Sequence, residues 1–348
     1  MIDHKAVQQF NSADVTPHVS VIIPAYNAET YLERALNSAR AQTMPNLEIM
    51  VVDDASADDT IGVARRIAAQ DSRVRVLHNE HNAGSSISRN RAIEAARGEW
   101  IALLDADDAW FPERLEQMLA SDDNTDVISD DVYIVFRSLI KPDKPVLWSL
   151  LQEESLSVAE TRWLDILDFV RYEFFSLLQP IIRRSFLTQH RLAYAPTVRM
   201  AEDFRLYFEL MASGARWLQL PEGYYLYYKH ADALTKNKYV LWQETIESAQ
   251  FLLNHPAAIG DKALTAALER RIQKASGHVV FATVRDALRQ GRFVKLVRSL
   301  GDNPSDLLRV VRFVAERLHV RMLWRVRRLR AGRLPQLPSC EVLLGPRK

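Results

Sequence analysis

From Val19 to Leu104 the chain alternates short apolar runs, rich in β-branched residues, with stretches whose apolar positions recur every three or four residues. Val19–Pro24, Leu47–Asp54, Val74–His78 and Trp100–Leu104 read as buried strands. Between them, Glu29–Gln42 places Tyr31, Leu32, Ala35, Leu36 and Ala39 on one helical face, and Ser56–Ala69 and Ser86–Ala96 read the same way. Strand, helix, strand in strict alternation leaves few topologies open. Each strand must reach the next by a right-handed crossover, so the expected class is α/β with a mostly parallel sheet flanked by helices. Ligands in such sheets lie beyond the carboxyl ends of the strands. Tyr26-Asn27, Asp53-Asp54 and Asp105–Asp108 all fall there, so they should converge.

The last of these clusters carries the most chemistry. Leu103-Leu104-Asp105-Ala106-Asp107-Asp108 ends an apolar strand in three carboxylates within four residues. They repel one another and are costly to desolvate unless a cation sits among them. Mg²⁺ and Mn²⁺ take such oxygen ligands and share them with a substrate diphosphate. The competing reading is an acidic turn ahead of a helix, with Pro112 and Glu113 as helix-start residues and Asp108 as a cap. Asp58 and Asp59 likewise suit the first turn of their helix.

Further along, Val127–Phe136 reads as a strand beginning near Ser129-Asp130-Asp131. Residues 137–176 are hard to read, with a Pro/Lys-rich loop at Lys141–Pro145 followed by amphipathic helical stretches. Leu177–Arg184 leads as a strand into Ser185–His190, and Glu202–Ser213 is a strong amphipathic helix. Trp217–Leu220 and the aromatic run Gly223–His230 are strand-like, and the pattern is helical from about Tyr239.

Charge divides the chain. Residues 241–348 hold 20 Lys/Arg against 9 Asp/Glu, whereas residues 1–240 hold 25 against 35. In Leu307–Leu329 apolar residues recur every three or four positions among Arg309, Arg312, Arg317, Arg321, Arg325, Arg327 and Arg328, with Arg330 just beyond. This reads as a basic amphipathic helix for an anionic membrane surface; packing on its own domain or on the mate in a homodimer is the rival. No nucleic-acid-binding motif accompanies the charge, so no nucleic-acid partner is expected. The first 16 residues form a polar tail without a signal-peptide apolar core, and no run of about 18 apolar residues predicts a membrane span. The lone Cys340 precludes an intramolecular disulfide and fits a reducing cytosol. The expected place is therefore the cytoplasm, peripheral on the inner membrane.

Five segments in order resemble family 2 glycosyltransferases of the GT-A fold. They are Val-Ser-Val-Ile-Ile-Pro-Ala-Tyr-Asn (19–27), Ile-Met-Val-Val-Asp-Asp-Ala-Ser-Ala-Asp-Asp-Thr (49–60), Asn-Ala-Gly-Ser-Ser-Ile-Ser-Arg-Asn (82–90), Ala-Arg-Gly-Glu-Trp-Ile-Ala-Leu-Leu-Asp-Ala-Asp-Asp (96–108) and Ala-Glu-Asp (201–203). The resemblance covers about residues 19–230 and implies a Rossmann-like GT-A domain over 17–238. Its nucleotide half would be 17–110 and its acceptor half 111–238, with a helical basic extension over 239–348. It also implies an inverting, Mn²⁺- or Mg²⁺-dependent transfer from a nucleotide-sugar, a UDP-sugar in the first instance. The acceptor would be a hydroxyl of a saccharide, lipid-linked in many such enzymes, in bacterial polysaccharide biosynthesis.

Residue roles carry over by the same resemblance. Pro24 and Tyr26 would lie against the nucleotide, Tyr26 stacking on base or ribose, with a packing tyrosine as the alternative. Asp54 would accept a base N–H, leaving Asp53 to orient the turn. Gly84 would let its loop pass close to the nucleotide, and Arg89 would meet base or diphosphate. Asp107 would ligate the metal directly, while Asp105 would touch ribose, or the metal through water. Asp203 would be the general base, with Glu202 orienting it or meeting the acceptor. His230 would touch metal or diphosphate or be structural, with Lys229 or Lys236 as alternative cations. Two rival functions stand beside this one. A sugar-phosphate nucleotidylyltransferase needs a Gly-rich loop after the first strand, which Pro24-Ala25-Tyr26-Asn27 does not offer. A nucleotide-sugar-binding protein without turnover would not need Asp203.

Overall fold

A computed structural model describes residues 16–121, 124–136, 146–147, 160–172, 178–229 and 238–289. The expected alternation is present: β1 (Val19–Ala25), α1 (Leu32–Arg40), β2 (Leu47–Asp53), α2 (Thr60–Ala68), β3 (Val74–His78), α3 (Ser85–Ala95) and β4 (Trp100–Leu103). There follow β5 (Ala109–Trp110), α4 (Arg114–Leu119), β6 (Val127–Phe136), β7 (Val146–Leu147), β8 (Arg162–Leu164), α5 (Ile166–Arg171) and β9 (Ile181–Arg183). The described chain closes with α6 (Arg184–His190), α7 (Glu202–Ala212), β10 (Trp217–Lys229), α8 (Lys238–Leu253) and α9 (Lys262–Arg289).

The sheet runs β3-β2-β1-β4-β9-β6-β10-β5, with β7 against β6 and β8 against β10. Its first half is parallel throughout, β1 lying between β2 and β4. The second half departs from the expected parallel pattern, because β9 runs antiparallel to both β4 and β6 and β5 antiparallel to β10. Trp217–Leu220 and Gly223–Lys229 form one strand, not two, interrupted by register shifts at Gly223.

One apolar core joins the sheet to the helices. Trp100, Trp217, Phe169 and Phe208 are fully buried, and Phe169 sits 5.5 Å from the Phe204 ring and 5.8 Å from that of Trp217. Each such side chain contributes roughly 1.5–3 kcal/mol by leaving water. Ala249 and Leu252 of α8 and Leu264 and Leu268 of α9 belong to the same core. Over 238–289, then, the segment beyond the resembling motifs is continuous with the sheet domain. The basic stretch 307–330 and His230 lie outside the described residues. Among the described residues no helix is long and apolar enough to cross a membrane.

Two glycines show why their positions demand glycine. Gly98 precedes β4 where a Cβ would come within 2.5 Å of the Ser20 backbone nitrogen. Gly84, just ahead of α3, has φ +92°, a conformation that L side chains rarely adopt.

Candidate active site

The loops at the carboxyl ends of β1 and β2 are laced to each other. Asn27, itself left-handed with φ 49°, accepts from the Ala57 amide at 2.8 Å, and its own amide donates to Ser56 Oγ at 3.0 Å. The Ala28 amide donates to Thr60 Oγ1 at 2.7 Å and the Glu29 amide to Asp58 Oδ2 at 3.1 Å. Asp58 therefore serves the neighbouring loop as well as the start of its own helix. Burial works against its charge, yet bonds from the Thr60 hydroxyl and from the Glu29 and Thr60 amides hold its carboxyl below the usual range. Pro24 lies within β1 beside Val52, and Tyr26 stands at the strand end with 48% of its surface exposed. An open aromatic face at that point suits a flat ring.

Asp54 is buried and accepts three hydrogen bonds from the loop after β3. They come from Asn79 Nδ2 at 2.7 Å, the Ala83 amide at 2.9 Å and the Gly84 amide at 2.8 Å. Its first duty is thus to shape the 79–84 loop, and one of about four lone-pair positions remains for an outside donor. Asp53 pairs with His78 Nδ1 at 2.9 Å, in keeping with a turn-orienting role.

Arg89 is the hub. It projects from α3 with only 5% of its side chain exposed and joins carboxylates that are far apart in sequence. Nη2 donates to Asp105 Oδ1 at 2.9 Å and Nη1 to Glu202 Oε1 at 2.7 Å, with Asp203 Oδ1 3.9 Å away. Burial opposes its charge, but Asp203 and Asp105 hold its pKa well above the ordinary value. In this arrangement two of the guanidinium nitrogens serve carboxylates, since three converging acids need a shared counter-charge, while Nε has no protein partner among the described residues.

Asp105 is bound on both oxygens, by Arg89 and by Gln179 Nε2 at 3.3 Å. Burial nonetheless raises its pKa against the pull of Arg89, and the charge of Asp107 adds to the rise. Asp107 is half-buried, and its backbone carbonyl accepts from Arg34 of α1. Asp108 is fully buried and does not cap α4. Its oxygens accept from the Tyr225 hydroxyl at 2.7 Å and the Tyr228 amide at 2.8 Å, pinning the acidic loop to β10. Tyr225 also accepts from the Asp105 amide at 3.2 Å.

Glu202 and Asp203 open α7. Glu202 is held by Arg89 and by Ser85 Oγ at 3.1 Å. Asp203 is less constrained, with 20% of its side chain exposed. Burial pushes its pKa to about 7; Arg89 opposes that shift, and the charges of Glu202 and Asp105 add to it. A carboxyl that titrates near neutrality and is partly open to solvent can accept a proton from a bound hydroxyl. Beside it lies Tyr194, whose buried ring is 5.2 Å from the Arg89 guanidinium.

Sequence reasoning passed over Gln179, Tyr194, Tyr225 and Ser85. Tyr225 stood in a conspicuous aromatic strand, and Ser85 in the Gly-Ser-Ser motif. Gln179 and Tyr194 carried no local signal. Among the described residues no group of three or more His, Cys, Asp or Glu is arranged to hold a metal alone. Asp105 and Asp107 are carboxylates of the type that Mg²⁺ and Mn²⁺ take as ligands together with water and phosphate oxygens, and both oxygens of Asp105 already accept bonds from Arg89 and Gln179.

Residues 20–180 match the family model described as glycosyl transferase family 2. That match takes in somewhat less than half of the 348 residues. The chain is similar to the succinoglycan biosynthesis protein ExoO of Rhizobium meliloti strain 1021, 34% identical over 232 residues that span 64% of each chain. This protein therefore covers less than two thirds of that relative's length. Among solved structures, S. aureus TarS 1–349 in complex with UDP-GlcNAc superposes with a TM-score of 0.59 at 21% identity, covering 75% of this chain and 80% of that one. The mannosyltransferase PcManGT of Pyrobaculum calidifontis, in complex with GDP-Man and Mn²⁺, does so at 0.56 and 17%, covering 92% and 89%. These likenesses establish the GT-A fold for the chain's sheet domain.

Proposed function

We propose that the protein is an inverting glycosyltransferase moving a sugar from a nucleotide-sugar, a UDP-sugar by preference, to a saccharide hydroxyl in bacterial polysaccharide biosynthesis. The observation that carries this reading is Asp203, a base titrating at about 7 and linked through one guanidinium to Asp105 of the donor side. The names of the relatives support the substrate class: one belongs to succinoglycan biosynthesis, and two solved neighbours hold sugar nucleotides.

In this reading ionised Asp203 takes the proton of the acceptor hydroxyl as its oxygen attacks the anomeric carbon. The bond from that carbon to the diphosphate breaks on the opposite face, and the nucleoside diphosphate leaves with the electron pair. One displacement inverts the configuration. Asp107, with Asp105 behind it, would hold Mg²⁺ or Mn²⁺, which neutralises the departing diphosphate. Tyr26 stacks against the base, and Asp54 offers its remaining lone pair to a ring N–H. Glu202, fixed by Arg89 and Ser85, supports the base and does not replace it. A lipid-linked acceptor at the cytoplasmic face of the inner membrane, reached through the basic residues of 307–330, completes the proposal.

The direct test is UDP release from a panel of UDP-sugars with Mn²⁺, with and without saccharide acceptors. Acceptor-stimulated release with inverted product supports the reading. Binding without release would leave a nucleotide-sugar-binding protein, and pyrophosphate-dependent nucleotide exchange would make it a nucleotidylyltransferase. Retention on anionic vesicles, lost on deleting 305–348, tests the membrane part.

A further inference from the structure

Asp203 hangs on a segment with no regular structure of its own. Between α6 and α7, residues 191–201 cross the mouth of the site, and Ala201 at the N-cap of α7 has no side-chain acceptor for the free amides of the first turn. The placement of the base must come from elsewhere. On one side α3 grips the segment. Asn90 bonds both the amide and the carbonyl of Tyr194, at 2.9 and 2.8 Å, and Ser86 Oγ donates to the Val198 carbonyl at 2.9 Å. On the other side stands α8. Glu244 Oε2 accepts from the amides of Arg199 and Met200, both at 2.8 Å. These are the last amides before Ala201-Glu202-Asp203.

We infer that Glu244 is a positioning residue for the catalytic base: its carboxylate fixes the 199–200 turn, and thereby the start of α7 and the direction of Asp203. The inference rests on the glycosyltransferase reading above. α8 is suited to the task because its C-terminal end is anchored to α7. The Arg205 guanidinium of α7 lies 3.6 Å from the Phe251 ring centroid, and His255 just past α8 meets Glu209 of α7 at 3.1 Å. From α9, the Arg271 guanidinium lies 3.9 Å from the Phe204 ring centroid. Ala249 and Leu252 are fully buried in the shared core, so Glu244 is delivered from a rigid support. A single carboxylate oxygen receiving two backbone donors makes charge-assisted bonds, shorter and stronger than neutral ones. A base displaced by about 1 Å costs on the order of 100-fold in rate. Glu244 lies outside the 20–180 family match, so the helical extension takes part in the site and does not merely follow it.

The experiment compares Glu244→Ala, Glu244→Gln and the exposed control Glu247→Ala in the full-length protein, using UDP release from the UDP-sugar that turns over with Mn²⁺. Glu244→Ala should lower kcat by about tenfold or more with donor KM nearly unchanged, since the two amides that Glu244 holds lead into the helix that carries the base. Glu244→Gln keeps an acceptor oxygen and should restore most of the rate. Glu247→Ala should match wild type. Hydrogen exchange of the Arg199 and Met200 amides, which needs no turnover, should accelerate in Glu244→Ala alone. Full kcat in Glu244→Ala, equal losses in Ala and Gln variants, or a loss falling on donor KM would overturn the inference. If wild type releases no UDP, the function fails, and unchanged exchange at 199–200 would separately sink the positioning role.

Discussion

The two ends of the parallel sheet handle buried carboxylates in opposite ways. At the amino end, Glu48 of β2 is buried and saturated. It accepts from Ser20 Oγ at 2.7 Å, the Arg97 amide at 2.7 Å, Arg97 Nε at 3.1 Å and Arg75 Nη1 at 3.2 Å. Burial alone would raise its pKa, but these donors together lower it below the ordinary value. At the carboxyl end, Asp105 and Asp203 share one arginine with Glu202, and both have raised pKa values. The first arrangement is finished within the protein. The second sets three carboxylates against one arginine, a shortage of positive charge that a cation or a proton from outside would relieve. Saturation marks a structural acid and under-compensation a working one.

The sharpest way to break this contrast is Asp203→Asn. Losing a general base should cut kcat by about 10²–10⁴-fold, read as UDP release. In wild type, kcat/KM should fall as pH drops below about 7, where Asp203 becomes protonated. Stability has the opposite sign. A folded pKa of about 7 against an ordinary 3.8 means the protein favours the protonated acid, so stability is lost as pH rises through 7. The neutral Asn should therefore stabilise the fold at pH 8 by at most about 4 kcal/mol, at 1.36 kcal/mol per unit, which is read as a higher melting temperature. An unchanged rate would remove Asp203 from the mechanism.

Arg89→Met comes next. It leaves three acids without their shared cation and should cost about 3–5 kcal/mol in denaturant unfolding. It should also shift the acid limb of the rate profile upward in pH, because Arg89 holds the Asp203 pKa down. Glu48→Gln should cost about 2–3 kcal/mol and leave that limb where it is. Its contribution in wild type should vanish as pH falls through the lowered Glu48 pKa. If Glu48→Gln moves the rate profile, the division between the two ends is wrong. The smallest effect should be Tyr225→Phe, about 1 kcal/mol, from losing a hydroxyl that joins the Asp105 amide to Asp108.

The same division explains what could be read in the sequence. Residues 19–108 announced themselves because β-branched runs and helical periods are local, and the strand-end acids fall where topology brings them together. Asp203 was legible only as part of a resembling motif, since an acid in a first helical turn is usually dipole compensation. Gln179, Tyr194 and Glu244 were invisible. Each acts across 40 to more than 100 residues of chain, and neither a glutamine at a strand edge nor a glutamate on a helix carries a periodic signature. The mixed pairing of β9 was hidden for a related reason: three residues with buried, apolar and basic character fit either direction.

Helix α3 reaches both substrates' territories: its Arg89 meets Asp105 and Glu202, and its Ser86 and Asn90 hold the 191–201 segment. At eleven residues it is a rod about 16 Å long. The distance between donor and acceptor is thus set by one stiff part and not by the loops that meet them. Such a part works as a gauge block. A graft exchanging 191–201 for the matching loop of another enzyme keeps its alignment to the donor if it retains partners for Ser86 and Asn90, and loses it if it does not.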